Sequence, residues 1–341
     1  MTRAAQPAAQ PGETRAAESP GRRLAIWLAA AVGTTLAVAL VCSLFGQSRT
    51  TPTVWVLRLQ RLAAAGLVGA ALATGGLALQ GLLRNPLAEP YILGISSGAG
   101  VGVLLGMALA PWMALPGWAT TPALAFAGAL LTCGVVYFVA QRRGRLDPYG
   151  LILSGVIVNA FNGAIMLAIH LYVDPFRISD FVQWTMGRLT YQIDLPILAT
   201  CGTLIVGGWV LVWVRAAALN MLGLGDEVAS TAGVSVHRLR IEIFALVGLM
   251  TAAAVALAGP IGFLGLIVPH LCRMALGPDH RRLAIVAGFA GAIFLMAVDT
   301  VCRSIGPVIR AGDVPVGIVT ALCGGPFFIH LLRGRLREAA A

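Results

Sequence analysis

Residues 79–100 read LQGLLRNPLAEPYILGISSGAG. Two apolar runs flank a short polar insert of Arg84, Asn85, Pro86, Glu89 and Pro90. Two prolines so close together stop one helix and force an extended link to the next. The small residues that follow, Gly94-Ile95-Ser96-Ser97-Gly98, match the GxSxG pattern of a hydrolase nucleophile elbow. That elbow works only on a strand, turn and helix with acid and histidine partners. The stretch is therefore either a break between two helices or a catalytic turn, and its surroundings decide.

The surroundings are oily. Of 341 residues, 58% are hydrophobic and only 11% charged, against roughly 25% charged in a soluble domain. Mean hydropathy is +0.85. Apolar runs recur, each long enough to cross a hydrocarbon core of about 30 Å. Unpaired backbone groups are not tolerated in lipid, so the expected class is an all-α polytopic membrane protein. The 41 glycines suit helices that approach closely through small faces. No strand is available for an elbow, so Gly94–Gly98 reads as a tight helix entry. An intramembrane serine protease pairing Ser96 with His270 is the catalytic alternative.

All 24 basic residues are arginine. Without lysine the chain has no P-loop and no Schiff-base chemistry; if ATP drives it, another subunit binds the ATP. The net charge of +10 is better explained by topology than by nucleic acid, because arginine gathers in cytoplasmic loops. Cys42, Cys133, Cys201, Cys272, Cys302 and Cys323 are scattered with no CxxC and read as packing residues. The five histidines show no metal spacing, so neither a metal nor a cofactor is expected.

Ten spans are expected at about 24–45, 62–83, 92–110, 122–141, 149–172, 195–214, 240–258, 260–276, 283–302 and 314–332. Residues 1–23 and 334–341 read as cytoplasmic tails around one domain at 24–333, the first disordered. The first apolar run starts too late and runs too long for a cleavable signal. With the N-terminus inside, only Arg49, Arg58, Arg61, Arg177, Arg188, Arg303 and Arg310 fall outside, and the other arginines fall inside. That bias sets both termini in the cytoplasm. The opening stretch is then the cytoplasmic turn between spans two and three.

Residues 215–240 form a long polar cytoplasmic loop. Asp226 and Glu227 suit a helix N-terminus, Gly233 suits its end, and Ser235 suits the cap of the next helix. A short helix of this kind reads as a docking element. Residues 173–194 form an outside loop carrying Trp184. Span two with its turn faintly echoes span seven into eight, both running from small-residue helix to Gly/Pro break; inverted repeats recur in transporters. Asn159 and Asn162 share one face of span five, where pore lining and interhelical bonding are both open readings. Arg58 and Arg61 share a face at the outer start of span two, and Arg303 lies beyond Asp299 at the outer end of span nine. Interfacial snorkelling or a basic patch for a partner's carboxylates are the alternatives.

At this point RLQRLAAAGLVGAALATGGLALQGLLRNPLAEPYILGISSGAG (58–100) resembles the signature of FecCD-type permeases, the membrane subunits of bacterial ABC importers for iron-siderophores, haem and cobalamin. LGLGDEVASTAGV (222–234), AGPIGFLGLIVPH (258–270), GPDHRRL (277–283) and DVPVGIVTALCGGPFFIHLLR (313–333) continue it in family order. The resemblance implies ten transmembrane helices per subunit in a type II ABC importer permease architecture with an inverted internal repeat. It implies a homodimer with the pathway on its twofold axis, in the bacterial inner membrane. Two ATP-binding subunits would sit below and a periplasmic substrate-binding protein above. Arg58, Arg61 and Arg303 match positions that accept glutamates of the binding protein. Leu222, Gly223, Gly225, Asp226, Glu227, Ala229, Gly233 and Val234 fall on the coupling element that sits in the ATPase. Asn85 and Leu87 match the cytoplasmic gate, with Glu89 fixing the turn. Gly324-Gly325-Pro326 departs trivially from the family's usual Gly-Ala-Pro; Asp147-Pro148-Tyr149 falls near a second cytoplasmic constriction but is less typical, so the gate role is not extended there. The expected function is import of an iron(III)-siderophore complex, with haem or cobalamin as the alternative. A proton-coupled carrier is more distant, since only His270 and Asp299 lie near mid-span as ionisable groups.

Overall fold

In the computed structural model the described residues are 20–45, 51–109, 117–190, 193–306 and 313–340. They form helices α1 (Pro20–Leu44), α2 (Pro52–Leu83), α3 (Ile95–Leu109), α4 (Gly117–Val139), α5 (Pro148–His170), α6 (Pro175–Thr185), α7 (Leu195–Gly223), α8 (Asp226–Thr231), α9 (Val236–Ala258), α10 (Leu264–Leu276), α11 (His280–Ile305) and α12 (Val316–Ala340). Six of them, α2, α4, α5, α7, α9 and α11, are long and apolar enough to cross a membrane. Shorter apolar helical stretches lie at 28–44, 95–109, 264–276 and 316–330.

The helix starts follow local chemistry. Asp147 and Asp174 each directly precede a proline that opens a helix, and Asp194 precedes α7, whose second residue is Pro196, a residue whose missing N–H costs nothing in the first turn. Asp147 accepts from Gly150 N at 2.7 Å and Asp174 from Phe176 N at 2.9 Å, satisfying orphan donors. Asp279 does the same for α11 through Arg281 N at 3.0 Å.

Helix α2 is the axle of the fold. It packs against α7, α9, α10 and α11 and is buried over most of its length. Its glycines make this possible. A Cβ on Gly69 would fall 2.1 Å from the carbonyl oxygen of Gly291 in α11, and one on Gly76 would fall 1.9 Å from that of Gly265 in α10. Backbone touches backbone at both places, the small-face packing expected in lipid. The outer helices α4, α5 and α7 instead expose large apolar side chains such as Leu131, Phe138, Leu153, Phe161, Leu167 and Val210.

Several boundaries differ from the sequence expectation. Helix α2 begins at Pro52 rather than 62, so Arg58 and Arg61 lie within it. Helix α7 continues to Gly223, and α8 and α9 follow almost at once, so little of 215–240 is loop. The side chain of Ser235 makes no capping bond. The expected outside loop at 173–194 contains α6. A two-stranded hairpin, β1 (Gln141–Arg142) and β2 (Arg145–Leu146), interrupts the all-α expectation. Helix α1 begins at Pro20 and α12 runs on to Ala340, so both expected tails contribute helix; residues 1–19 and 341 lie outside the described part.

Candidate functional site

The polar insert of the opening stretch is an ordered turn. Arg84 ends α2 in the left-handed region (φ 49°). Asn85 Oδ1 accepts from Leu87 N at 3.0 Å, a side chain imitating a turn. A short 3₁₀ segment, Pro90–Leu93, follows and ends on Gly94 at φ 79°. The link does not stand alone. Glu89 Oε1 accepts from Phe263 N, and Ile261 N donates to the Tyr91 hydroxyl at 3.0 Å. The break before α3 is thus tied to the break before α10. The second break is itself strained, with Gly259 at φ 66° and Phe263 at φ 67°, and a non-glycine residue in that region costs energy unless its surroundings hold it. Gln80 joins the same junction, donating to Gly265 O at 3.1 Å and accepting from Arg273 at 2.9 Å.

A cavity of about 430 Å³ opens beside this junction, lined by Tyr91, Ser96, Ser97, Asn159, Trp184 and Thr185 among others. Its polar side chains carry hydroxyls, the Asn159 amide and the Trp184 indole N–H, with no carboxylate or basic group among the lining residues. The two asparagines divide their expected roles. Asn159 lines the cavity and donates to Tyr91 O at 3.4 Å. Asn162 is buried and donates to Ser97 and Thr132, at 3.0 and 3.3 Å, joining α5 to α3 and α4. Ser96 follows a left-handed glycine at the entry to a helix, not a strand. His270 packs edge-on against Phe327 of α12.

At one end of the bundle α8 stands on Asp226. That carboxylate accepts from Arg240 of α9 at 2.8 Å and from Arg84. Arg84 also donates to Leu222 O at 2.7 Å. The residue that ends α2 therefore binds the end of α7 and the start of α8. Leu222 and Ala229 are buried, Gly225 (φ 129°) and Gly233 (φ 82°) form the two bends, and Val234 is half-buried. Gly223, Leu224, Glu227 and Val228 face outward. Beside them Asn220 Nδ2 donates to Asp279 at 2.7 Å, while Asn220 Oδ1 accepts from His280 N at 2.9 Å. Burial pushes the Asp279 carboxyl upward, but Asn220, Arg281 N–H and the charges of Arg282 and Arg281 outweigh it and hold it below the usual range.

At the opposite end, the three outer arginines are buried. Arg61 is 1% exposed and grips Asp299, itself 0% exposed, through Nε at 3.0 Å and Nη2 at 2.8 Å. Its Nη1 reaches Asp313 at 2.6 Å. Arg303 approaches the same Asp299 at 3.0 Å. Arg58 donates to Ser43 O at 3.3 Å and Arg303 to Phe45 O at 3.5 Å, so both cap the C-terminal end of α1, where cations are favoured. Within this chain its own carboxylates and carbonyls engage the guanidiniums, and the contacts tie α1, α2 and α11 together.

Sequence reasoning missed Arg84 as more than a topology marker, and missed Tyr91, Arg240 and Asp313 altogether. Only the adjacency of Arg84 to the turn could have pointed to it; its partners are 138 and 142 residues away.

The sequence pattern of the FecCD transport family matches residues 23–334. A cobalamin import system permease protein of Halobacterium salinarum is 42% identical over 293 residues, covering 85% of this chain and 76% of that one. A hemin transport system permease protein of Yersinia pestis is 37% identical over 287 residues, covering 82% and 83%. Among solved structures, a metal-chelate type ABC transporter in an inward-facing conformation superposes with a TM-score of 0.77 at 27% identity, covering 90% of this chain and 99% of that one.

Proposed function

The chain belongs to the FecCD transport family, and from that premise we propose that two copies of it form the membrane core of an importer that carries an iron(III)-siderophore complex into the cytoplasm. It is an ABC transporter permease subunit and not itself an enzyme, as its relatives are. ATP is hydrolysed by two separate subunits bound below, and a periplasmic binding protein delivers the substrate from above. The chain sits in the inner membrane with ten crossings and both termini inside, which the arginine bias supports. The breaks before α3 and α10 are corresponding points of an inverted repeat.

The observation that carries this reading is the bridge from Arg84 to Asp226. In the proposed mechanism the outward face of α8, with Leu224, Glu227 and Val228, rests in the ATPase. When ATP closes the ATPase pair, α8 moves and takes Arg84 with it. Asn85 and Leu87 follow directly in the chain, so the gate turn moves as one with the coupling helix. Glu89 and Tyr91 pass that motion to the loop before α10. On the outer face, Arg58, Arg61 and Arg303 hold α1, α2 and α11 together and form the patch on which carboxylates of the binding protein dock. Asn159 lines the route. Its uncharged polar wall suits a large chelate, whose selectivity is set by the binding protein.

Cobalamin or haem is the second reading, favoured by the names of the two relatives above. The test is co-purification of the tagged chain with its ATPase. ATPase activity is then measured with binding proteins loaded with ferric siderophore, cobalamin or haem. Stimulation by the siderophore-loaded protein supports the first reading and stimulation by another supports the second. A chain that binds no ATPase although its α8 region is intact overturns both.

A further inference from the structure

We propose that Asn220 and His280 are positioning residues for the turn that carries Asn85 and Leu87. They fasten the last turn of α2 to the ends of α7 and α11, so that the turn after α2 follows α7 as well as α8. This role rests on the transport reading, in which the ATPase moves α8.

Asn220 lies near the end of α7, just before the Leu222 carbonyl that Arg84 binds. Both ends of its amide are engaged. Nδ2 donates to Asp279 at 2.7 Å, and Oδ1 accepts from His280 N at 2.9 Å. A carboxylate accepts and a backbone N–H donates, so these two partners fix which way the amide points. Oδ1 also lies 2.8 Å from His280 Nδ1. An amide oxygen has no proton to give, so Nδ1 carries the hydrogen, and in the neutral ring Nε2 is the bare nitrogen. Asn220 thereby sets the tautomer and the orientation of the His280 ring.

The ring is aimed at α2. A Cβ on Gly81 would fall 2.8 Å from His280 Nε2 and 3.4 Å from Cδ2. Nε2 is enclosed and, among the described residues, has no hydrogen-bond partner. A buried nitrogen without a partner is costly, and the ring occupies that place because Gly81 leaves a notch for it. Leu219 of α7 closes the other side, 3.5 Å from the same Cβ position. Next along the chain, Gln80 ties this turn of α2 to Gly265 O and to Arg273 of α10. The end of α2 is thus held by α7, α10 and α11 at once, and Arg84 follows directly. The Arg84–Asp226 bridge runs beside this clamp, but its side chains are 38% and 44% exposed, and an exposed ion pair is a weak tie. The His280 ring rests on backbone, where close packing transmits a shift instead of absorbing it.

The test needs no substrate. The full chain with its co-purified ATPase is placed in lipid. Its native cysteines are replaced, and Leu87→Cys supplies a thiol on the turn. The labelling rate of that thiol is compared without nucleotide and with ATP trapped by vanadate. In this background Asn220→Leu should shrink the nucleotide-dependent change in rate roughly 2- to 30-fold, the range for a residue along a coupling network. Gly81→Ala should shrink it too. Adding His280→Asn to Gly81→Ala should restore part of it, because asparagine keeps a donor where Nδ1 stood and removes Nε2 from the new methyl. Gly207→Ala, in open space on α7, should change nothing. Melting temperature is followed alongside, since a merely structural role lowers it and leaves the nucleotide response of the folded protein intact. An unchanged response in Asn220→Leu, or a Gly81→Ala defect that His280→Asn does not relieve, overturns the proposal. If Asn220→Leu does not fold, the Gly81 and His280 pair decides alone. A parent chain that binds its ATPase and shows no nucleotide response overturns the transport reading and this role with it. A responsive parent with equally responsive variants overturns this role only.

Discussion

Replacing Arg61 by methionine should loosen the outer end of the molecule. The substitution keeps a flexible unbranched apolar stem and removes the guanidinium. Among the described residues Asp299, with no exposed surface, then keeps only Arg303 as a charged partner at 3.0 Å. Asp313 is 24% exposed and can turn to water. Removing one partner of a buried ion pair costs about 3–5 kcal/mol. The remaining Arg303 contact and the partial exposure of Asp313 reduce this to about 2–4 kcal/mol. Cys302 offers a local readout, because it is 1% exposed and adjoins Arg303. In a variant retaining Cys302 as its sole thiol, labelling requires the outer end to open. At about 1.4 kcal/mol per factor of ten, Arg61→Met should accelerate labelling roughly 30- to 700-fold. Asp299→Asn should also accelerate it. The two together should fall short of the product of the single effects, since they break one interaction. A change below about threefold on the labelling scale would show that the brace carries no net stability. Strict additivity would show that Arg61 and Asp299 do not act as a pair.

Gly69→Ala should lower the melting temperature markedly, because its Cβ meets the backbone of Gly291 at 2.1 Å and overpacking costs about 1–3 kcal/mol; Gly207→Ala, in open space on α7, should be neutral or stabilising by up to about 1 kcal/mol. Asp226→Asn should barely change the melting temperature, since its partner Arg84 is 38% exposed and exposed pairs are worth about 0–1 kcal/mol, yet it should reduce the stimulation of the ATPase by a loaded binding protein; unchanged stimulation would refute the bridge. Asp279 has a depressed carboxyl, so its stabilising effect is present above the unfolded-state value near 4 and is lost as pH falls through the lower folded value. The difference in melting temperature between the wild type and Asp279→Asn should therefore be constant at neutral pH and shrink below about pH 4; a difference that grows on acidification would contradict the assignment.

The apolar helices were legible because lipid imposes a simple rule on length and composition. The break at 84–94 was legible because proline and glycine act locally. The short helix α8 was legible because Asp226, Glu227 and Gly233 signal its ends within a few residues. What stayed hidden depends on partners distant in the chain. Arg58 and Arg61 read as the polar edge of a span, and so the start of α2 was placed too late. Their burial is made possible by Asp299, Asp313 and the end of α1, of which Asp299 and Asp313 lie 238 and 252 residues away from Arg61. A hydropathy window cannot see a charge that is neutralised from elsewhere. The extension of α7 was hidden for the opposite reason: Arg215 and Asn220 look like loop residues, but Glu242 and Asp279 hold them against neighbouring helices. The hairpin at 141–146 escaped because two residues per strand carry no periodicity.

The same distribution of partners sets where the molecule can move. At the outer end, charges lacking solvent are locked to one another, and each broken contact leaves a buried charge costing several kcal/mol. Between these lies the Gly69–Gly291 contact, where two backbones touch and no flexible side chain can absorb a shift. At the α8 end the bonds that position the helix are ion pairs whose side chains are 16–44% exposed. Water can replace either partner there, so each costs about 0–1 kcal/mol to exchange. Helix α2 runs through both regimes. A force applied at α8 therefore meets its least resistance at the turn after Leu83 and its greatest near Arg61. In the proposed mechanism the chain therefore bends first where Asn85 and Leu87 lie, with the half of α2 that carries Arg58 and Arg61 as the fixed end of the lever.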